Sequence, residues 1–392
     1  MKILFLLSRY PYPLTKGDKL RAFMQMKHLA KENDISLFCL SKTSFKNHQT
    51  APELNFIKGL KIQHLTLMDS FLGMLASILS RIPLQVGFYS HKRHIKAFES
   101  YVRELKPDVI YVQFVRMAPY CRNIKSIKVL DFQDALSANM YRRAGVSNPF
   151  WKPILLREAK LLQRYEAQML HLFDLTTIIT DADRREIVSN QGNKVMISTN
   201  GIDDSYLEYA EKAEKKYDVM FCGNMSYPPN VDAAKYLVKA IMPHVWAVFP
   251  GVKVLIAGAN PKKSVVRLAS DRVEVSGYVE DMKKCYAESL IFVAALRIGS
   301  GLQNKLLEAM AIGTPVICSA LANTALGAQQ GQHLLVANTE KQYADLIINL
   351  LNDGSLQQDL AKSAKSFVKN TYNWETICRD LNSAFSNLIS KS

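Results

Sequence analysis

The chain has 392 residues, 48% of them apolar and 22% charged, with only 17 Gly and 14 Pro, which excludes a disordered, collagen-like or low-complexity protein. At roughly 150 residues per domain the length implies two domains, each large enough to bury a core. Fifty Lys and Arg oppose 35 Asp and Glu for a net +15, and the excess is uneven: residues 1–200 hold 30 basic and 16 acidic residues (+14), residues 201–392 hold 20 and 19 (+1). A basic half beside a neutral half predicts an anionic partner for the first: nucleic acid, an acidic lipid surface or a phosphate-bearing substrate.

The chain opens on an apolar run, residues 3–7, too short for a signal peptide and followed by Arg9, so residues 2–7 read as a buried first strand. Apolar and β-branched runs at 35–40, 109–112, 128–132, 175–179 and 195–198 are further strands, with helical patterns at 19–31, 91–105 and 154–172 between them. Residues 71–84 repeat apolar side chains at helical spacing with one charge, Arg81. They predict a helix that either lies in a membrane interface or packs on the first domain's sheet. An acidic stretch at 203–216 then separates a second series, with strands at 218–222, 253–257, 273–276, 291–294 and 315–318 and helices from Val231, Met282, Lys305 and Glu340. A last helix spans 374–389. Strands alternating with helices predict two α/β domains with doubly wound parallel sheets, whose ligands bind beyond the carboxyl ends of the strands.

The six cysteines are at least 33 residues apart, so no C-x-x-C pair exists, and free thiols in a reducing cytoplasm are expected. No run reaches 18 apolar residues, so no transmembrane helix is expected. The eight histidines lack H-x-x-x-H and H-E-x-x-H spacing, and no metal is expected. Glu158 and Glu166, eight apart on the long helical pattern, read as structural rather than as a carboxylate pair.

The most informative stretch runs from Ala295 to Ile317. A buried strand ends at Arg297, Gly299 and Gly301 form a loop, and a helix opens near Leu302, so free backbone N–H groups and a positive helix end meet beside Arg297 and Lys305. Glu308, one turn past Lys305, can accept hydrogen bonds from sugar hydroxyls, or the stretch is an ordinary strand–turn–helix with a surface Lys–Glu pair. In the first half, Asp131 and Asp134 follow a strand, where either orients an acceptor hydroxyl or a nearby Arg, or the pair is an ordinary strand end. Gln113 and Arg116 follow another strand end.

Arg297 to Val316, with Ser198-Thr-Asn-Gly-Ile-Asp203, Tyr372-Asn-Trp-Glu375, the 12–21 segment and the 221–233 segment, resembles family 4 retaining glycosyltransferases of GT-B fold. Within them it is most similar to bacterial sugar transferases of exopolysaccharide and exosortase systems. The resemblance implies two Rossmann-like domains facing across a cleft: residues 1–202 for the acceptor, a linker at 203–216, residues 217–372 for a nucleotide diphospho-sugar, and a helix at 373–392 crossing back to the first domain. It places Glu308 on the ribose, the N–H groups of Gly301 and Leu302 on the diphosphate with Arg297 and Lys305, and Tyr278 and Val279 at the base. Gly223, Asn224, Ser300 and Asn304 complete the donor set, and Gly17 marks the loop where a backbone passes close to phosphate or acceptor. Ser300 stands where the family usually carries an acidic residue, and Asn224 and Asn230 stand roughly where relatives carry Arg and Lys.

The implied reaction moves a sugar, with retention and without metal or cofactor, to a glycan or lipid-diphosphate-linked glycan. It would run in the cytoplasm, peripheral to the anionic inner leaflet, without nucleic acid. The alternatives are an epimerase or hydrolase of the same fold and a non-catalytic nucleotide-sugar-binding protein.

Overall fold

The computed structural model describes residues 1–14, 16–43, 51–145, 147–187, 195–209, 213–298 and 301–391. Backbone contacts divide the chain into unit 1, Met1–Thr199 with Trp374–Ser392, and unit 2, Asn200–Asn373.

Unit 1 holds seven strands: β1 (Lys2–Leu7), β2 (Asp34–Ser41), β3 (Ile57–His64), β4 (Val109–Gln113), β5 (Ile127–Asp131), β6 (Leu175–Ile178) and β7 (Val195–Ile197). All pair in parallel, in the order β3-β2-β1-β4-β5-β6-β7. Successive side chains of a strand face opposite ways, and β1 uses both faces. Ile3, Phe5 and Leu7 enter one apolar cluster and Leu4 and Leu6 the other. Six helices of unit 1 matter below: α1 (Gly17–Leu29), α2 (Leu67–Leu79), α3 (Leu84–Tyr89), α4 (Lys92–Leu105), α5 (Leu136–Gly145) and α6 (Lys152–Leu172). The helix Trp374–Ile389 buries Trp374, Cys378, Leu381 and Phe385 in the cluster that holds Ile3, Phe5 and Tyr111, with the Phe385 and Tyr111 rings 6.0 Å apart. Asn382 fixes its register by accepting from Asn33 (2.9 Å) and donating to Glu32 (2.9 Å).

One buried ion pair ties unit 1 together. Arg21 of α1, 1% exposed, donates to both carboxylate oxygens of Asp131 at the end of β5 (2.8 and 3.1 Å). It also donates to the carbonyls of Ser198 and Thr199 (2.8 Å each), and Thr177 of β6 donates to Asp131 (2.9 Å). Charges are buried tolerably only when paired and fully hydrogen-bonded, and this pair meets both conditions.

Glu158 and Glu166 of α6 have separate tasks. Glu158 accepts from the N–H groups of Leu84 and Gln85 at the start of α3 (3.0 and 3.1 Å). Glu166 accepts from the Ser137 N–H (3.1 Å) and hydroxyl at the start of α5. Each supplies a carboxylate to orphan donors at a helix N-terminus.

Unit 2 holds β8 (Tyr217–Cys222), β9 (Val254–Ala257), β10 (Val273–Gly277), β11 (Ser289–Ala294), β12 (Val316–Cys318) and β13 (Leu335–Val336), all parallel, in the order β10-β9-β8-β11-β12-β13. The junction between the units falls at Thr199–Asn200, ahead of the acidic stretch that the sequence suggests as a linker. The reason is local: the Ile202 N–H donates to the Tyr372 carbonyl (2.8 Å) and Asp203 caps the short helix Asp204–Leu207, so this segment is fastened to unit 2. Residues 210–212 of that stretch, Glu211 among them, lie outside the described residues.

Removing one member of a buried pair strands the other charge. Asp131→Ala should therefore lower unfolding free energy by about 3–5 kcal/mol, whereas the double substitution Arg21→Met with Asp131→Leu recovers most of the loss. Denaturant titration of the two variants beside the unaltered protein checks this, and equal destabilisation by single and double changes would refute the pairing argument.

Candidate functional site

In each sheet the chain winds outward one way and then the other from its first strand. The reversal in unit 2 lies between β8 and β11, and crevices at such points are where open α/β sheets bind ligands. Gly223 leaves β8 there, Arg297 follows β11, and the helix Asn304–Ile312 begins after Gly301 and Leu302.

Gly223 and Gly258 carry positive φ values of 154° and 133°, and a Cβ on Gly258 would lie 1.9 Å from the Gly223 carbonyl oxygen. Only glycine lets the ends of β8 and β9 meet so closely. Gly258 N–H in turn donates to the Gly277 carbonyl (2.9 Å), so the end of β10, with exposed Tyr278 and half-buried Val279, is joined to the same crevice floor.

Lys305 and Glu308 stand one turn apart on the helix Asn304–Ile312. Lys305 donates to Asn230 Oδ1 (2.6 Å) and sits 4.9 Å from the Phe221 ring centre. Burial pushes its ammonium pKa below the usual lysine range, with Cys222 and Glu308 opposing. Glu308 accepts from the Tyr286 hydroxyl (2.8 Å). Burial raises its carboxyl pKa against the pull of Tyr286 and Lys305. Tyr286 in turn lies 3.0 Å from Cys222 Sγ. A cation and a carboxylate are thus held on one helix face, both disfavoured by burial and, among the described residues, each short of a full set of partners.

Other expected donor residues are placed as follows. Arg297 forms a bidentate pair with Asp232 (3.0 and 2.6 Å), stacks 4.2 Å from the Tyr236 ring centre and remains half exposed. Asn224 accepts from the Ser226 N–H and hydroxyl (3.0 and 2.7 Å), and its carbonyl accepts from Asn230 Nδ2 (3.0 Å). Asn230 is therefore the bridge from the β8 loop to Lys305. Asn304 keeps an enclosed amide oxygen without a hydrogen-bond partner. Gly301 has φ 79°, and Leu302 packs against the unit 2 core. Ser300 and Gly299 lie outside the described residues. Tyr286, which orients Glu308, carries no sequence signal that marks it.

In unit 1, Asp131 is 0% exposed and both its oxygens serve Arg21 and Thr177: of the roles open to it in the sequence it has the one beside an Arg, and it offers no free carboxylate for catalysis. Asp134, three residues on, is only partly buried, and burial, reinforced by Asp183 and Asp131, lifts its pKa to about 6. Gly17 opens α1, and among the described residues no atom beyond its own stretch of chain lies within 4 Å of where its Cβ would be. Gln113 donates to the Asp18 carbonyl (2.9 Å) and Arg116 to Ser8 Oγ (3.2 Å).

Two features lie away from these strand ends. Among the described residues, Asp69, His91 and His94 bring their ligand atoms within 4.8 Å of one another. Burial opposes ionisation of Asp69, but hydrogen bonds from Thr66, His94 and the Arg93 charge outweigh it and hold the carboxyl at about 2. Arg93 sits 3.0 Å from the carboxylate, so a cation already occupies it. The second feature is α2, which turns Leu67, Met68, Phe71, Leu72, Leu75, Ile78 and Leu79 outward, Leu79 by 88%. Its small-residue side packs on α3, where a Cβ on Gly73 would lie 2.1 Å from the Gly87 carbonyl oxygen. Among the described residues no helix is long and apolar enough to cross a membrane.

With this geometry in place, comparison with known proteins decides the family of unit 2: residues 216–353 match Glycosyl transferases group 1. They form a group 1 glycosyltransferase domain. The whole chain is 22% identical over 394 residues to an uncharacterized 44.6 kDa protein in the cps region of Klebsiella pneumoniae, covering 95% of this chain and 96% of that one. Among solved structures it is similar to sucrose-phosphate synthase from Thermosynechococcus elongatus (14% identity, TM-score 0.71, all of both chains). It is also similar to HepE of Anabaena in complex with UDP (16% identity, TM-score 0.69, 99% of this chain and 100% of that one). These likenesses establish the GT-B fold, and the group 1 domain coincides with the half that carries Lys305 and Glu308.

The raised Asp134 pKa has a sign. Its folded value lies above the unfolded one near 4, so the folded state holds more protons between roughly pH 4 and 6, and stability falls as pH rises through that window. Asp134→Asn should flatten this part of the curve of unfolding temperature against pH, and an unchanged slope would refute the assignment.

Proposed function

We propose that this chain is a retaining, metal-independent glycosyltransferase that moves a sugar from a nucleotide diphospho-sugar to a hydroxyl of a glycan or lipid-linked glycan in bacterial surface polysaccharide synthesis. The observation that carries the reading is the Lys305–Glu308 pair at the β8/β11 crevice of a group 1 domain. The nucleotide donor is supported by the HepE complexes, which hold UDP and, in another structure, UDP-glucose. The polysaccharide role is supported by the relative in the Klebsiella cps region.

Charge develops on the diphosphate as its bond to the sugar breaks, and preorganised cations and N–H dipoles stabilise that charge. Lys305 is suited to this. Its present partner is a neutral amide, and burial penalises its charge until an anion arrives. Arg297, exposed and already paired with Asp232, contributes by releasing or sharing that carboxylate. Glu308, oriented by Tyr286, accepts the ribose hydroxyls. The N–H groups of Gly301 and Leu302 and the enclosed oxygen of Asn304 complete the donor contacts, with Tyr278 and Val279 at the base. Retention then follows from attack on the leaving-group face, the departing phosphate taking the acceptor proton. Unit 1 orients the acceptor, with Asp134 as its carboxylate and Gly17 at its approach.

The outward face of α2 and the +14 of the first 200 residues support a peripheral position on the anionic inner leaflet. Flotation with anionic liposomes at low salt should carry the protein upward. Phe71→Ser with Leu75→Ser should abolish this, and raised salt should weaken it. No binding of the unaltered protein would rule the membrane position out.

For the reaction itself, one class among UDP-, GDP- and CDP-sugars should raise the unfolding temperature, since a ligand at a hundredfold excess over Kd stabilises by about 2.7 kcal/mol. Lys305→Ala should remove that shift and lower kcat by about 10²–10³. Near-normal turnover in this variant would overturn the assignment.

A further inference from the structure

Unit 1 contains a second concentration of charge, separate from the Arg21–Asp131 pair. A cavity of about 540 Å3 opens beyond the carboxyl ends of β1 and β2, and its wall includes Arg9, Lys16, Lys19, Lys42, Tyr10 and Tyr89. None of its described lining residues is acidic. A fifth cation stands behind the wall: Arg116 donates to Ser8 Oγ (3.2 Å), and its guanidinium lies 4.9 Å from the Tyr89 ring centre and 4.0 Å from that of Phe114. Its Nε is enclosed without a partner.

Two carboxylates answer these five cations. Asp18 pairs with Arg9 (3.0 Å), and Glu53 is engaged by the Tyr12 hydroxyl (2.7 Å). The surplus leaves its mark: burial first, then the charge of Arg9, pushes Lys19 below the usual lysine range, and burial with Arg9 likewise lowers Arg116. Among the described residues Lys19 donates to no carboxylate but to the Tyr12 carbonyl (3.2 Å). The backbone adds a cost of its own. Phe114, which supports Arg116, sits at φ 69° and ψ 138°, a conformation that only glycine adopts readily.

We propose that this cavity binds a phosphate or diphosphate ester. Three uncompensated positive charges match a group carrying about −2 or more, whereas the single charge of a uronic acid would leave most of the surplus unanswered. The tyrosines supply flat apolar and hydroxyl surface for the remainder of the ligand. That the ester belongs to the acceptor rests on the glycosyl-transfer reading; the anion site itself does not.

The test is therefore a binding measurement. Inorganic pyrophosphate is titrated calorimetrically into the full chain carrying Lys305→Ala, which removes the principal cation of unit 2. One site should remain, and adding Arg9→Ala, Lys42→Ala or Lys16→Ala should weaken it by about tenfold each. Lys16 and Lys42 are exposed, so their variants keep the test valid if Arg9→Ala fails to fold. Loss of pyrophosphate binding in Lys305→Ala alone, or indifference to all three further substitutions, would overturn the proposal. So would binding of glucuronate at these residues without binding of pyrophosphate. Farnesyl diphosphate in detergent binding more tightly than inorganic pyrophosphate would mark a lipid-borne ester, and equal affinity a soluble one. A protein that binds pyrophosphate as expected yet transfers no sugar would retain this site and lose only the reading of the reaction.

Discussion

The buried Arg21–Asp131 pair is the constraint around which unit 1 is organised. It joins α1, the ends of β5 and β6 and the carbonyls of Ser198 and Thr199, the last residues before unit 2. A hydrophobic contact tolerates sliding, but five hydrogen bonds on one guanidinium and its carboxylate fix direction as well as distance. The end of β5, which leads into Asp134, and the start of α1 therefore take their relative position from a pair that is almost wholly buried.

Unit 2 solves a different problem. An ammonium that is enclosed without being neutralised is costly. The compromise is the Lys305–Asn230–Asn224 chain, in which a neutral amide satisfies the ammonium geometrically without cancelling its charge. The two glycines at the ends of β8 and β9 make that chain sterically feasible. Arg297 illustrates the alternative, a cation kept near the surface and paired outright with Asp232.

Much of the fold was legible because parallel strands buried on both faces read as continuous apolar runs. The first strand, residues 2–7, and the last helix, residues 374–389, have in the structure the bounds that their sequence patterns predict. The strand β3 escaped notice because Ile57-Lys-Gly-Leu-Lys-Ile-Gln-His64 is an edge strand, with only half-buried apolar residues between its lysines. The two-residue strand β13 is too short to leave a period. In the candidate sites, local sequence marks groups that their own helix or loop positions, as with Lys305, Glu308 and Gly223. It did not reveal partnerships across long separations. Asp131 looks like an available carboxylate until Arg21, 110 residues earlier, is found on it, and nothing near Tyr286 announces that it will meet Glu308. Glu158 and Glu166 resemble a pair along the chain and become unrelated helix caps in space.

The helix Trp374–Ile389 gives the molecule a history as well as a shape. It completes the apolar cluster of Ile3, Phe5 and Tyr111, yet it is translated after the whole of unit 2. At 5–20 residues per second the ribosome needs roughly 10–35 s to make the intervening segment, and during that interval the first-made unit presents an uncovered apolar face. The part of the protein synthesised first is thus the part finished last, and quality control of the nascent chain must tolerate that exposed surface until the final residues emerge.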